Sequence, residues 1–553
     1  MNPVILVALG SVIGVMEQEL DRANETLAPL DDAPHYIAVA VSDQEENTVS
    51  ARAGTVSTNI HTQQRSLDVD LRVGTPEIDS THPVRGFSAL DDEQRNFNRI
   101  AWTGDDALRQ AIWTELDRRY REAAQRIVLV RSNLSVKVEE ETGGHDFQPS
   151  DNPQQADEPP PELVFDRDAW AETLRQISVY LDEQPHLDSH SVGVSARRIV
   201  NRFIDTEGAR IVHGNLHARF TLQVQATAED GDRLTAFKSW DVHDPADLPD
   251  PETLQGWAEA ASQRISDLHE APRGEPYSGP VLLHGRAAGV FFHEVLGHRS
   301  EGHRLKREFE GKTFQEHVGK PILPDYIDIV DDPTQMHLAG EDLNGYYRWD
   351  DEGTEAQPAV LVEDGILKGF LMHRSPVDEL GGTNGHGRRS PGNPPSARMG
   401  NTLIQASQTQ SWDALRAQLL DEVRDQGLEY GYIVEDIEGG FTMTGRTMPN
   451  AFNVRAVASW RVWADGRPDE LVRGIDLVGT PLAAFRNLIG AGDTPEVFNG
   501  ICGAESGWVP VSAVAPPMLF RTLEFQLKEK GQERPPLRPK PLEDASVDAG
   551  GVQ

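Results

Sequence analysis

Two histidines and a glutamate lie within six residues of one another, in the run FFHEVLGH at positions 291–298. Imidazole nitrogens are good zinc ligands, and a carboxylate beside a metal can accept a proton from water. The chain also has one cysteine, Cys502, in a glycine-flanked segment. Together with His293 and His298, its thiolate would complete a three-ligand site with a position left open for water. Glu294 would then be the proton acceptor.

The spacing of the two histidines departs from the usual H-E-x-x-H pattern, in which both lie on one helical face. His293 and His298 are five residues apart, which puts their side chains about 140° apart on a regular helix. The sequence therefore predicts a widened turn, such as a π-bulge, and Gly297 stands where such a distortion would cost little. Glu294 and His298, at i and i+4, would share a face.

The same residues also allow interpretations without a metal. The predicted helix from residue 286 is apolar nearly all round, so its polar groups need partners. A metal would supply them, but a satisfied His–Glu pair would do so as well. Cys502 could be an inert buried thiol. His303 is either a further ligand or a surface histidine among basic neighbours.

Composition limits the partners and the compartment. The 553-residue chain has a formal net charge of −37, which argues against nucleic acid and anionic membranes as partners. A single cysteine excludes an intrachain disulfide and fits a reducing compartment, so we expect a cytoplasmic protein. The apolar run at residues 4–16 is too short to span a bilayer. If residues 1–16 are the remnant of a signal peptide, the protein is exported instead.

The pattern of elements predicts an α+β protein of two domains. An N-terminal sheet-and-helix domain is expected at 17–275, with an exposed connection at about 143–162. A larger, strand-rich C-terminal domain at 276–530 would carry the buried helix, and residues 531–553 would be a disordered tail. Periodicity and turn signals predict strands at 36–41, 67–73, 281–283 and 518–527, helices at 107–127, 254–268 and 412–426, hairpins at 195–212, 218–240 and around 364–365, and a strand-rich run at 430–462.

Four ordered motifs in the second half resemble the TldD/PmbA family of zinc-dependent peptidases. The first is the H-E-x-x-x-H segment itself. The second is the G-R-R sequence at 387–389 followed by A-R-M-G-N-T at 397–402. The third is the strand and helix at 472–489, and the fourth is the C-G…P-V…A-P-P ending from 502 to 517. The similarity is strongest over residues 279–525.

This resemblance implies zinc bound by His293, His298 and Cys502, with Glu294 as general base or acid. It also implies a homodimer or heterodimer, with the site facing an internal cavity that admits unfolded or short peptides. Two features depart from the family pattern. His303 replaces a small or acidic residue, and the segment 503–507 after Cys502 carries neither the family's Lys nor its Gln.

We therefore expect a zinc peptidase in which a metal-bound water attacks the peptide and Glu294 takes its proton. Two alternatives use the same residues. The protein could be a non-catalytic subunit that binds peptides and holds a structural zinc, or a metal-dependent hydrolase of another amide. The oxyanion donor is open, and the polar candidates in the second half are Tyr346, Tyr347, His373 and His386.

Overall fold

The computed structural model describes residues 3–84, 99–102, 104–135, 145–307, 310–377, 380–442, 444–445 and 451–528, with side chains from residue 12 onward. The predicted tail at 531–553 lies outside these residues. The elements of the first half are helices α1 Pro3–Leu27, α2 Asp105–Leu134, α3 Arg167–Asp182 and α4 Pro251–Glu270, and strands β1 Pro34–Arg52, β2 Thr55–Val73, β3 Arg99–Ile100, β4 Gln155–Asp157, β5 Ser189–Asp205, β6 Arg210–Thr227 and β7 Arg233–Val242.

Long hairpins build the N-terminal sheet. Its strand order is β3-β2-β1-β5-β6-β4, and β7 pairs with β6 as well. The predicted hairpins at 195–212 and 218–240 are confirmed as β5–β6 and β6–β7. At the turn of the second hairpin, Gly231 adopts φ +85°, a conformation that a side chain would strain.

The four N-terminal helices pack against this sheet in two groups. Helices α1 and α2 share a core with β1 and β2, and α3 and α4 share another with β5 to β7. In α1, Val12 and Met16 are buried in the first of these cores. The apolar N-terminal run is therefore part of a packed helix, and this packing starts before residue 17.

The second half contains more strands than helices. Its helices are α5 Gly285–Val295, α6 Trp412–Asp425 and α7 Pro481–Arg486; its strands are β8 Tyr277–Leu283, β9 Ile327–Asp331, β10 His337–Leu338, β11 Glu341–Asp342, β12 Ala359–Glu363, β13 Ile366–Leu367, β14 Gly387–Arg388, β15 Ser396–Ala397, β16 Asn401–Ala406, β17 Tyr430–Thr442, β18 Phe452–Trp463, β19 Glu470–Val472, β20 Ile475–Gly479, β21 Leu488–Ala491, β22 Glu496–Ala504, β23 Gly507–Ala515 and β24 Met518–Leu527.

Two large sheets enclose α5. One has the order β13-β12-β9-β16-β23-β22. In the other, β17-β8-β24-β20-β18 closes into a ring because β17 also pairs with β18. Helix α5 contacts strands of both sheets and lies in the largest apolar core, where Phe291 packs edge-on against Phe452 and Phe520. The α+β class and the buried helix are as predicted.

The predicted exposed connection at 143–162 is more ordered than expected. Residues 143–144 lie outside the described part, but β4 pairs in parallel with β6. Phe147 is 1% exposed; its ring lies 4.4 Å from that of Tyr36 and beneath the guanidinium of Arg374. The Pro- and Asp-rich composition concealed this anchor, because one buried aromatic side chain does not alter the average polarity of a segment.

Along the described part of the chain, we find no helix with the length and apolarity needed to cross a membrane.

Candidate metal centre

Helix α5, which carries His293 and Glu294, is held close to a neighbouring strand by its glycines. A Cβ atom on Gly285 would lie 2.4 Å from the carbonyl oxygen of Ala515, and one on Gly289 would lie 2.9 Å from that of Ala513. Only glycine permits such a close approach. As a result, β23 lies directly beside α5, and its hairpin partner β22 brings Cys502 towards the histidines.

The two histidines converge in a way that differs from the prediction. Helix α5 ends at Val295, and a 3₁₀ turn, Gly297–Ser300, follows. The expected widened turn is therefore wrong: the chain leaves the α-helix and tightens before it reaches His298. A Cβ atom on Gly297 would lie 2.1 Å from the sulfur of Met399, so this glycine gives room to Met399.

The structure brings His293, His298 and Cys502 together. One ligand atom from each lies within 4.8 Å of the others, and all three side chains are buried. The Cys502 sulfur is 3.4 Å from Nε2 of His298, and the two imidazole rings are nearly perpendicular, with centroids 5.0 Å apart. Nδ1 of His293 has no hydrogen-bond partner among the described residues.

Charge coupling within this cluster favours a thiolate. Burial alone would raise the pKa of the Cys502 thiol, but His298 and His293 hold it well below its usual range. Burial alone would lower the pKa of His298, but Cys502 and Glu301 raise it well above its usual value. A thiolate is the form of cysteine that binds a metal, so the ligand set is poised for a cation.

Glu301 and Arg398 support the cluster from outside. Glu301 is fully buried, and its carboxylate lies 3.4 Å from Nδ1 of His298. Arg398, also fully buried, forms a 3.2 Å ion pair with Glu301 and donates a 2.9 Å hydrogen bond to the carbonyl of Cys502. Although burial opposes it, Arg304, His298 and Arg398 hold the pKa of Glu301 well below its usual range. A carboxylate on the far ring nitrogen is typical of metal-binding histidines.

Glu294 lies beside the cluster on the wall of a cavity of about 780 Å³, which His293, His298 and Cys502 also line. Its side chain is buried and packs against β17. A Cβ atom on Gly440 would lie 2.3 Å from Cγ of Glu294, so a larger residue there would displace the carboxylate. The Glu294 carbonyl accepts a 2.7 Å hydrogen bond from Arg299, which fixes the end of α5.

His303, which departs from the family pattern, contacts Glu505 of the segment that follows Cys502. Nε2 of His303 forms a short hydrogen bond with the Glu505 carboxylate, which Arg304 and Arg307 also contact at 3.2 and 3.1 Å. His303 does not belong to the group of three potential ligands. The side chains of His303 and Glu505 thus tie the chain beyond the 3₁₀ turn to the tip of the β22–β23 hairpin.

None of the four oxyanion candidates lines this cavity. Tyr346 and Tyr347 lie at a second cavity between the two halves. His386 approaches Asp331 at 3.2 Å, and His373 lies 3.5 Å from Glu352. Among the described residues, the polar side chains that line the metal cavity instead are Arg219, Glu294, Arg304, Glu310, Glu438, Asn499, Thr442, Thr444 and Glu505.

The donor set fits zinc. Two imidazoles and a thiolate make a three-ligand zinc set, and the unpartnered Nδ1 of His293 is a buried donor or acceptor that a metal could engage. Sequence reasoning gave no role to Glu301 or Arg398. Both lie inside the recognised motifs, but only folding shows that one contacts His298 and the other contacts Cys502.

The fold and this cluster indicate a metallopeptidase, and comparison with known proteins supports that class. Residues 276–527 match the model of the PmbA/TldA metallopeptidase C-terminal domain. A metalloprotease of Archaeoglobus fulgidus is 32% identical over 274 residues, 49% of this chain and 59% of that protein. One of Methanothermobacter thermautotrophicus is 28% identical over 324 residues, 58% of this chain and 65% of that protein.

A third relative, named zinc metalloprotease TldD homolog, from Saccharolobus solfataricus, is 26% identical over 247 residues, 44% of this chain and 51% of that protein. The crystal structure of TldE from Thermococcus kodakarensis has a TM-score of 0.61 and covers 92% of this chain and 99% of its own; at 15% identity it shows a shared fold. Over residues 276–527 the chain is therefore similar to the C-terminal domain of the TldD/PmbA metallopeptidases. It spans less than two thirds of the length of these three relatives.

Proposed function

We propose that this protein is a zinc-dependent peptidase whose metal ligands are His293, His298 and Cys502 and whose general base is Glu294. The observation that carries the proposal is the convergence of these three ligand atoms within 4.8 Å, on the wall that Glu294 shares. The metalloprotease names of the relatives agree with it.

When bound, a zinc ion would supply the Lewis acid that polarises the scissile carbonyl and acidifies water. The chain's own residues do the rest. Glu294 accepts a proton from the attacking water while the water oxygen bonds to the carbonyl carbon. The same carboxyl group then gives that proton to the leaving nitrogen as the C–N bond breaks. Glu301 and Arg398 keep His298 and Cys502 in place throughout.

The cavity suggests an extended substrate. A space of about 780 Å³ is within the usual range for ligand pockets and would hold several residues of an unfolded or short peptide. Both apolar and polar side chains line it, as do Gly439, Gly440, Gly500 and Gly503, which have no side chain to cover their backbone. Peptide binding through the main chain is therefore part of the proposal, as is a dimer with itself or with a related subunit.

Metal content and hydrolysis test the proposal together. Wild type should hold about one zinc per chain, and His293→Ala and Cys502→Ala should each lose most of it. Glu294→Gln should keep its zinc and lose hydrolysis of an unfolded peptide by at least about a hundredfold. His337→Ala, at an exposed histidine on β10, is the matched control and should change neither.

The outcomes separate the alternatives. Unchanged turnover in Glu294→Gln would refute Glu294 as the base. A chain that binds zinc but hydrolyses no peptide or other amide would be the binding subunit with a structural metal. That alternative needs a closed fourth position, so His303→Ala would lower zinc content in the binding subunit and leave it unchanged in the enzyme.

A further inference from the structure

A second cavity, of about 510 Å³, lies between the N-terminal sheet and the C-terminal half. Strands β5 and β6 form one wall, which includes Arg197. Segment 344–351 and residues Arg388 and Arg389 form the other. This cavity shares no lining residue with the cavity at the metal centre, so it is a separate place in the fold.

Unpartnered hydrogen-bond donors are concentrated on the walls of this second cavity. Arg202 is fully buried, and its Nε and Nη2 have no hydrogen-bond partner among the described residues; the same is true of four other donor nitrogens, namely Arg197 Nε, Asn344 Nδ2, Trp349 Nε1 and Arg389 Nε. None of these nitrogens can accept a hydrogen bond. Buried donors without acceptors are costly, so the residues around this cavity offer more hydrogen-bond donors than they have acceptors for.

The carboxylates at this cavity are already engaged. Asp68 accepts from Arg389 and from the Gly392 backbone, both at 2.8 Å. Asp350 accepts three backbone N–H groups at 2.9 to 3.0 Å, and Asp351 accepts one at 2.7 Å. Asp244 accepts the backbone N–H of a short 3₁₀ helix. These carboxylates are thus used within the walls of the cavity, and among the described residues none of them forms an ion pair with Arg197 or Arg388.

Two arginines at the cavity make no ion pair with a described residue. Arg197 also makes no side-chain hydrogen bond that the structure shows, and Arg388 is held only by a backbone carbonyl and the face of Tyr347. Arginine forks bind planar carboxylates particularly well. Phe203, Tyr346 and Trp349 add apolar and aromatic surface beside these charges.

We propose that this cavity binds a carboxylate attached to an apolar group, and that its natural source is the C-terminal end of a peptide. The carboxylate oxygens would accept hydrogen bonds from the guanidinium groups of Arg197 and Arg388, and the aromatic wall would hold the last side chain. A small free carboxylic acid has the same chemistry and is the other source. The site does not depend on the peptidase activity, although peptide hydrolysis would produce such carboxylates.

Calorimetry on the Glu294→Gln chain, which should not consume peptide, tests this site. The probes are the tripeptide Ala-Ala-Phe, its C-terminal amide, 3-phenylpropionate and inorganic phosphate. We expect the free acid to bind at least about tenfold more tightly than the amide. Arg197→Gln should weaken binding of the acid by a similar factor. Arg198→Gln, the neighbour that pairs with Glu45 and lines neither cavity, should not.

Each outcome decides the matter. If the tripeptide binds more tightly than 3-phenylpropionate, the peptide end is the source; equal binding assigns a small acid. Equal affinity for acid and amide, equal behaviour of the two arginine variants, binding of phosphate alone, or no binding would each overturn the proposal. The acid–amide comparison needs no arginine variant, so it stands even if Arg197→Gln does not fold. If Glu294→Gln binds the acid but the wild-type chain hydrolyses no peptide, the peptidase proposal is refuted and this site is left intact.

Discussion

At the scale of single residues, the metal centre depends on side chains outside the ligand set. Glu301 orients the ring of His298 and also accepts from Arg304 at 2.6 Å. Arg398 links this carboxylate to the backbone of Cys502. The geometry of the three ligands is therefore fixed by a buried ion network that brings together two segments about two hundred residues apart in the chain.

We predict that Glu301→Gln weakens zinc binding by about 10- to 100-fold, because the His298 ring loses the carboxylate that orients and polarises it. A competition titration with a zinc chelator measures this. Glu316→Gln, on the short 3₁₀ helix Gln315–His317, is the control and should bind zinc as wild type does. An unchanged affinity in Glu301→Gln would show that His298 is positioned by packing alone.

At the scale of elements, the end of α5 decides where His298 points. The helix stops at Val295, and the tighter 3₁₀ turn needs Gly297, because Met399 occupies the space where a side chain would lie. Met399 belongs to the A-R-M-G-N-T motif. Two of the recognised motifs are thus in direct contact, and Met399 of one motif explains why the other has a glycine at position 297.

Gly297→Ala should lower the free energy of unfolding by about 1–3 kcal/mol, since the new methyl group overpacks against Met399. It should also weaken zinc binding, because relief of the clash shifts the turn that carries His298. Gly256→Ala is a matched control in α4, where nothing lies within 4 Å of the new Cβ atom. It should raise stability by about 0.5–1 kcal/mol.

Denaturant unfolding of both variants, with and without zinc, is the measurement. If Gly297→Ala were as stable as wild type, Met399 would have moved at no cost, and the tight contact would not be what selects glycine. Adding Met399→Ala to Gly297→Ala should restore zinc affinity if the clash is the cause.

At the scale of the whole molecule, the contact between the two halves includes a buried histidine. His213, on β6, lies against Trp349 of the C-terminal half, with ring centroids 5.4 Å apart. Its side chain is buried, and Arg348 is close. Burial first, and the charge of Arg348 second, lower the pKa of His213 to about 4. The neutral ring is therefore the form that fits between the halves.

This lowered pKa predicts a pH-dependent stability. Below about pH 6.5 the unfolded chain takes up a proton at His213 that the folded chain does not bind. The contribution of His213 to the free energy of unfolding is therefore fully present above that pH and is lost towards pH 4. The loss should reach about 3 kcal/mol. His213→Asn should remove this contribution, so wild type should lose more stability than the variant over this interval. Parallel curves for the two proteins would contradict the shift.

The sequence by itself determined much of the local structure and the chemistry. The alternation of residues and the turn signals predicted the hairpins β5–β6, β6–β7 and β12–β13, and helical periodicity predicted α2, α4 and α6, because these patterns depend on near neighbours. Residue type and motif order also led us to predict His293, His298 and Cys502 as metal ligands and Glu294 as the base, and the structure brings the three ligand atoms together.

Only the tertiary structure decided how these residues meet. The tightened turn at His298 depends on Met399, and the approach of Cys502 depends on the pairing of β23 with β16 and on the glycines of α5. The contact between His303 and Glu505, the buried Phe147 and the donor-rich second cavity have no periodic signature. Each arises from packing between segments far apart in the chain, where the energy of a contact depends on which surfaces the fold brings together.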